Sequence, residues 1–130
     1  TVQELSPSWL VIKNPVDIWL AVEEHGHKKA YESATDAMLK DKNVDALLII
    51  MPLFPGVFDS SDVIINASAK HPGKPIVIWA MPVVIKGKAS IEGGDRIHEI
   101  ERKGIAVFET PRRAIKALSV MYEWEMLRRA

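Results

Sequence analysis

The sequence predicts an α/β fold, a three-layer α/β/α sandwich in which helices cover both faces of a parallel β-sheet. Short runs that are almost wholly apolar recur along the chain, as expected for strands that are buried on both faces. The segments between these runs have the periodicity of amphipathic helices, and the spacing is that of successive βαβ units. With 130 residues, 48% of them hydrophobic, the chain fits one domain spanning residues 1–130.

The strands of the predicted sheet come from the apolar runs. Residues 45–51, 75–80 and 105–108 consist mostly of apolar residues, and each run predicts one strand. Residues 10–12 predict one further strand, with a continuation through residues 16–18 left open. We therefore expect a parallel sheet of about four strands, in strict alternation with four helices.

Four helices are predicted from apolar periodicity and from capping residues. The first spans residues 27–40, and the second runs from a cap at 59–61 to about residue 70. The third is interrupted by glycines in its first half and ends near residue 103. The fourth starts with Pro111 at its first position and continues almost to the C-terminus.

Composition excludes several classes of function. Lys and Arg number 17, as do Asp and Glu, and the basic residues are scattered, so no nucleic-acid partner is expected. The longest apolar run, at 46–51, is far too short to span a membrane, and no membrane partner is expected. The chain has no cysteine and no signal-peptide pattern, which agrees with a cytoplasmic location.

The first candidate site follows the first predicted strand. In an open parallel sheet, ligands bind at the carboxyl ends of the strands. The segment 14–19 lies at such an end and combines a carboxamide (Asn14), a rigid proline, a carboxylate (Asp17) and an indole (Trp19), which suits contact with a ligand or a partner. An ordinary turn, in which Asp17 accepts hydrogen bonds from nearby backbone amides, explains the same residues, and the sequence leaves both interpretations open.

The second candidate site lies between the strand at 45–51 and the following helix. Gly56 permits a close approach of the backbone, and amides at a helix N-terminus attract a phosphate or a carboxylate. Asp59 would oppose an anion there, so a plain capped helix start is the alternative interpretation. The chain has neither a GxGxxG nor a GxxxxGKS/T motif, which argues against an ordinary nucleotide-binding loop.

Catalytic and metal-binding residues are not predicted in this chain. Glu23, Glu24, His25 and His27 are close in sequence, but neighbouring residues seldom converge on one metal ion without ligands from elsewhere. No serine stands in a GxSxG motif, and the absence of cysteine removes the other common nucleophile. We expect no metal site and no catalytic residue.

Five stretches of sequence, in a fixed order, carry a resemblance to a known family. They are Asn-Pro-Val-Asp-Ile-Trp at 14–19, Gly-His followed by Ala-Tyr within 26–31, Asp-x-x-Val-Asp-Ala-Leu-Leu-Ile-Ile at 41–50, Gly-Lys-Pro-Ile-Val before a tryptophan at 73–79, and Gly-Ile-Ala-Val-Phe-Glu-Thr-Pro at 104–111. In the order and spacing of these stretches, the chain resembles the flavodoxin-like ligase domain of NDP-forming (ADP-forming) acyl-CoA synthetases. That domain is similar to the C-terminal domain of the succinyl-CoA synthetase β chain.

The resemblance implies both a fold and a function. The family's sheet is flavodoxin-like, and its domain begins with one more strand and helix, so this chain is expected to lack the first βα unit and to be a fragment of a longer protein. The family makes acyl-CoA from an acid, CoA and a nucleoside triphosphate through a phosphohistidine that another domain carries. The isolated chain is therefore expected to be inactive.

The resemblance also implies partners, cofactors and contact residues. The partners are CoA-binding and ATP-grasp domains or subunits of the same enzyme, with self-association through an exposed sheet edge as a further expectation. CoA, ATP or ADP, and Mg belong to the parent enzyme, and none is expected to bind this domain alone. A Phe-Gly-Gly loop that directs a helix N-terminus at the phosphohistidine in the β chain corresponds to Phe54-Pro55-Gly56, where Pro55 replaces a glycine and removes an amide donor.

The residues expected at an interface or phosphohistidine loop are Asn14, Asp17, Trp19, Phe54 and Gly56. An alternative function is a non-catalytic module on the same fold that binds a small molecule or a protein. The parent reading frame distinguishes the two functions. The acyl-CoA synthetase function requires that it also encodes a CoA-binding domain, a phosphohistidine loop and an ATP-grasp domain.

Overall fold

The computed structural model describes residues 2–6, 8, 10–53, 59–85, 88–90 and 94–130. Its helices are α1 (Trp19–His25), α2 (His27–Lys40), α3 (Ser61–Lys70), α4 (Gly94–Arg102) and α5 (Pro111–Arg129), preceded by a 3₁₀ helix at Val2–Leu5. Its strands are β1 (Leu47–Pro52), β2 (Ile76–Met81), β3 (Val83–Ile85), β4 (Lys88–Ser90) and β5 (Ala106–Phe108).

The central sheet is parallel and has the strand order β1-β2-β5. Leu47 of β1 is in register with Ile76 of β2, and Val77 of β2 is in register with Ala106 of β5. Helices lie on both faces of this sheet. The mixed α/β, three-layer fold predicted from the sequence is therefore confirmed.

The main hydrophobic core lies between one face of the sheet and helices α2, α3 and α4. Strand side chains alternate between the two faces of a sheet, so Ile49 and Met51 of β1 point the same way. They are packed with Ile78 of β2, Ile64 of α3 and Ile100 of α4. Helix α5 contacts β2 and β5 but contributes no residue to this core, so it covers the opposite face.

The predicted fourth strand is wrong. Residues 10–12 and 16–18 form no strand, and in the described part of the chain the parallel sheet has three strands. The backbone carbonyl of Leu10 instead accepts a hydrogen bond of 3.0 Å from the Gln3 side chain, and Val11 is exposed. A short apolar run becomes a strand only when a neighbouring strand accepts its backbone hydrogen bonds, and β1 does not pair with this segment.

Two elements of the structure were not predicted. Residues 19–25, for which the sequence analysis gives no helix, form helix α1, and Gly26, with φ of +81°, separates α1 from α2. That positive φ is a conformation that glycine adopts without steric cost. Strands β3 and β4, which follow β2, pair in an antiparallel arrangement.

The four predicted helices are confirmed with nearly the expected bounds. Helix α2 has the predicted start and end, and α5 begins at Pro111 and ends at Arg129. These helices were predictable because periodicity and terminal residues are local properties of the sequence. In the described residues, no helix combines the length and the apolar character needed to cross a membrane.

Candidate functional site

The first predicted segment lies beside the carboxyl ends of β1 and β2, although the strand at 10–12 that it was predicted to follow does not form. Residues 15–19 form one wall of a cleft of about 590 Å³, and Pro52 and Met81, the last residues of the two strands, form part of another wall. Asn14 is outside this cleft and lines a second groove beside β1. The remaining residues that line the cleft are Val22, His27, Tyr31, Ile50 and Pro82.

The local structure of this segment depends on Asp17. Its Oδ1 atom accepts a hydrogen bond of 2.9 Å from the backbone N–H of Trp19, the first residue of α1. A carboxylate near the first amides of a helix satisfies a donor that has no partner within the helix. The ordinary-turn interpretation of Asp17 is therefore confirmed, whereas a contact with a ligand stays a prediction.

The lining of the cleft is mostly apolar, with a few polar groups at its rim and floor. The indole of Trp19 is 58% exposed, which is unusual for so large an apolar group. Tyr31 donates a hydrogen bond of 3.0 Å from its hydroxyl to the backbone carbonyl of Ile50. Burial raises the pKa of the Tyr31 hydroxyl to about 12, so it remains a neutral donor at physiological pH. Such a surface suits a ligand or a partner segment with a large apolar part.

The second predicted segment is only partly described. Phe54 and Gly56, together with Pro55, lie outside the described residues, so their predicted contact with an anion stays a prediction. The described residues on either side are Leu53, which is buried after β1, and Asp59, which lies two residues before α3. This segment therefore begins at the carboxyl end of β1, as the cleft does.

A cluster of charged residues at the start of α3 was not predicted. The carboxylate of Asp59 accepts hydrogen bonds from the Ser61 backbone N–H at 2.9 Å, from the Ser61 hydroxyl, and from Arg96 Nε at 2.8 Å. The same guanidinium donates to Glu99 Oε2 at 2.5 Å and to Asp62. Arg96 therefore links the start of α4 to the start of α3.

This cluster changes the electrostatics expected at the α3 N-terminus. Burial alone would raise the pKa of the Asp59 carboxyl, but the hydrogen bonds from Ser61 and the charge of Arg96 lower it below its usual value. Asp59 is therefore ionised and partnered, but Arg96 is shared with Asp62 and Glu99, so the cluster keeps a net negative charge that still opposes a bound anion. No local signal reveals this pair, because its two residues are 37 positions apart in sequence.

The acidic and imidazole residues around Gly26 do not form a cluster of metal ligands. Glu23, Glu24 and His25 belong to the second half of α1, and His27 begins α2. Throughout the described ranges, no three His, Asp or Glu side chains converge as ligands of a metal ion. Helical geometry explains this, because adjacent residues on a helix point in different directions.

The geometry defines a class of protein, a three-layer α/β domain with an apolar cleft at the carboxyl edge of its parallel sheet. Among curated proteins, acetate–CoA ligase [ADP-forming] II of Archaeoglobus fulgidus is 27% identical to this chain over 122 residues. The alignment covers 90% of the chain and 16% of the ligase. No protein-family model and no solved structure matches the chain.

This comparison supports the relationship predicted from the motifs. The chain is related to an NDP-forming acyl-CoA synthetase, and the alignment covers almost all of the predicted domain. The chain spans only 16% of the length of that relative. The activity, substrates and partners of the whole ligase are therefore only proposed for this chain.

Proposed function

We propose that this chain is the flavodoxin-like ligase domain of an NDP-forming acyl-CoA synthetase, comparable to the C-terminal domain of the succinyl-CoA synthetase β chain. The parent enzyme would form acyl-CoA, NDP and phosphate from an acid, CoA and a nucleoside triphosphate, through a phosphohistidine on another domain. The single observation that carries the proposal is the 27% identity to an ADP-forming acetate–CoA ligase over 90% of the chain.

The domain would contribute the walls of a composite site and no reacting group. The sequence has no cysteine, no GxSxG motif and no nucleotide-binding loop. As the resemblance implies, CoA, ATP or ADP, and Mg would be bound by CoA-binding and ATP-grasp domains or subunits, which are the proposed partners. The proposed location of such an enzyme is the cytoplasm.

The apolar cleft supports an interface at the carboxyl edge of the sheet. Exposed aromatic side chains are enriched at protein interfaces, and Trp19 projects a largely exposed indole from the start of α1. Asp17 holds this start in place through the backbone N–H of Trp19. We expect Trp19 to pack against a partner domain, with Asn14, Phe54 and Gly56 as further contacts.

One experiment tests the proposal in the longest reading frame that contains this chain. The isolated domain should not form acyl-CoA from acid, CoA and ATP, whereas the full-length protein should. Trp19→Ala in the full-length protein should lower this activity at least about tenfold if the indole is an interface anchor. Glu32→Ala on α2 is the control, because Glu32 is exposed and polar and is not among the residues that line the cleft.

Turnover by the isolated chain would contradict the proposal, as would a parent reading frame that lacks the CoA-binding and ATP-grasp parts. The latter result would favour the second candidate, a binding module without ligase activity. A specific observation favours that candidate as well: the cleft is mostly apolar, and the carboxylate of Asp17 is engaged with the backbone. Binding of small acyl-CoA thioesters to the isolated chain, measured by calorimetry, would then replace turnover as the readout.

A further inference from the structure

The second half of helix α5 is apolar and yet exposed. Ala114, in the first turns, is fully buried, whereas from residue 120 to the C-terminus every side chain except that of Glu125 is exposed. A helix that is apolar on most of its surface is normally buried, and an exposed apolar patch marks a site of interaction. The large apolar residues in this half are Val120, Met121, Tyr122, Trp124, Met126 and Leu127.

These apolar residues lie on two opposite flanks of α5. An α-helix turns by about 100° per residue, so Tyr122 and Met126 lie on the same flank as Ile115. The other flank lies about 140° around the helix from Leu118. It carries four residues, which we call the outer stripe: Ala117, Val120, Trp124 and Leu127.

The outer stripe faces away from β1 and past β5. Helix α5 contacts β2 and β5, and Ala114 marks its buried side. Around the helix, Leu118 lies to one side of Ala114 and the outer stripe lies to the other. Leu118 is on the β1 side, because it lines the groove beside that strand. The outer stripe is therefore on the β5 side, and an element that completed the sheet at β1 would leave it uncovered.

The outer stripe has the spacing of an interface between two helices. Its residues follow one another at intervals of three and four, which is the a/d pattern of paired helices. Trp124 is 68% exposed and Leu127 is 74% exposed, so both are free to make such a contact. In an antiparallel pair centred beside Val120, Trp124 of each helix lies opposite Ala117 of the other. A large side chain then meets a small one, as in a packed core.

A parallel pair would match these residues poorly, because it sets Trp124 against Trp124 and Ala117 against Ala117. The charges beside the stripe also favour the antiparallel pair. Lys116 and Glu123 are exposed on its solvent side, where Glu123 accepts a hydrogen bond of 3.1 Å from the Ser119 hydroxyl. In an antiparallel pair, Lys116 of one copy lies beside Glu123 of the other, and the two-fold symmetry makes this contact twice.

We propose that two copies of this chain pair through the outer stripes of their α5 helices in an antiparallel dimer. A second copy matches the stripe because the same residues supply both sides of the contact, large against small and basic against acidic. The stripe is short, so the interface is at the small end of specific interfaces and the dimer is weak. The dimer does not require ligase activity, so it can fail while the proposed function holds.

Sedimentation equilibrium of the 130-residue chain measures the dimer. The chain should change from monomer to dimer over a concentration series that ends at about 1 mM. Trp124→Lys should raise the dissociation constant at least about thirtyfold, which is the loss expected for a central interface residue. Tyr122→Lys is the matched control, because Tyr122 is a similarly exposed aromatic residue on the opposite flank, and it should change the dissociation constant little. Circular dichroism checks that both variants are folded.

An exchange of charges tests the register of the pair. Lys116→Glu and Glu123→Lys should each weaken the dimer several-fold, because each places like charges together at two positions. The double variant should dimerise about as well as wild type, since it restores the pairing with the signs exchanged. A double variant no tighter than the two single variants would contradict this register.

Single cysteines test the direction of the helices, since the chain has no cysteine of its own. Val120→Cys lies beside the two-fold axis and should form a disulfide dimer under mild oxidation. Ala117→Cys faces Trp124 of the other copy and should not, and neither should Tyr122→Cys. Two results would overturn the proposal. A chain that stays monomeric at about 1 mM would favour another polypeptide on the stripe, and disulfide dimers of Ala117→Cys would show a parallel pair.

Discussion

The hydroxyl of Tyr31 donates a hydrogen bond of 3.0 Å to the backbone carbonyl of Ile50 and so joins α2 to the open edge of β1. Both residues line the cleft at the carboxyl edge of the sheet and also the groove along β1. The two surfaces therefore share a wall.

Tyr31→Phe should lower the free energy of unfolding by about 1 kcal/mol, because it removes one hydrogen bond and little packing. Urea denaturation at neutral pH measures this change. Tyr122→Phe is the matched control, since Tyr122 is exposed on α5, and it should leave stability almost unchanged. Equal effects of the two substitutions would show that the bond to Ile50 contributes nothing to stability.

Tyr31 also predicts how stability depends on alkaline pH. Its pKa is raised from 10.0 to about 12 in the folded chain, so the folded state keeps a proton that the unfolded state releases. The resulting stabilisation is complete below pH 10 and is lost as the pH rises from 10 to about 12, by at most about 3 kcal/mol. The free energy of unfolding of wild type and Tyr31→Phe, measured at pH 9 and pH 11.5, separates this contribution from that of other groups. If both proteins lose the same amount of stability between the two pH values, the prediction is contradicted.

Arg96→Ala should destabilise the contact between α3 and α4. The substitution leaves the partly buried carboxylate of Asp59 without its guanidinium, and we expect a loss of about 1 to 2 kcal/mol in urea denaturation. Arg128→Ala is the control, because Arg128 pairs with Glu125 on the surface of α5, where ion pairs contribute little. If Arg96→Ala is as stable as Arg128→Ala, the cluster does not stabilise the contact between α3 and α4.

The same cluster predicts an acid-sensitive contribution to stability. The folded pKa of Asp59 is lowered, so its stabilisation is present above the unfolded pKa, which is about 4. It is lost as the pH falls through the lower, folded value. Between pH 5 and pH 2, wild type should therefore lose more stability than Arg96→Ala, as measured by thermal unfolding. If wild type and Arg96→Ala lose the same stability between pH 5 and pH 2, the pair of Asp59 and Arg96 does not contribute to stability.

Two substitutions at Asp17 separate its structural role from a role in binding. Asp17→Asn keeps an oxygen acceptor for the Trp19 N–H, whereas Asp17→Ala removes it and should destabilise the start of α1 by about 1 kcal/mol. Hydrogen exchange of α1 amides should therefore be faster in the alanine variant alone. If the parent enzyme keeps its activity with Asp17→Asn and loses it with Asp17→Ala, the side chain of Asp17 acts by holding the turn. If both variants lose activity, the negative charge of Asp17 is needed at the site.

The helices α2, α3, α4 and α5, and the three strands β1, β2 and β5, could be predicted from the sequence because their signals are local. Apolar residues in α2 repeat with the helical period, Pro111 marks the first turn of α5, and the strands are continuous apolar runs. The location of the 14–19 segment was predicted from a strand at 10–12 that does not form, so only the structure places this segment beside the carboxyl ends of β1 and β2.

The elements that could not be predicted depend on partners distant in sequence. Residues 10–12 have the composition of a strand, but no neighbouring strand pairs with them. Nothing near Arg96 in the sequence indicates its bond to Asp59, and nothing near Tyr31 indicates its bond to Ile50. The sequence by itself therefore determined the fold class and the relationship to acyl-CoA synthetases, whereas only the tertiary structure decided the cluster at α3, the shared wall at Tyr31 and the open edge of β1. The physical reason is that periodicity is encoded in consecutive residues, whereas these contacts join residues that folding brings together.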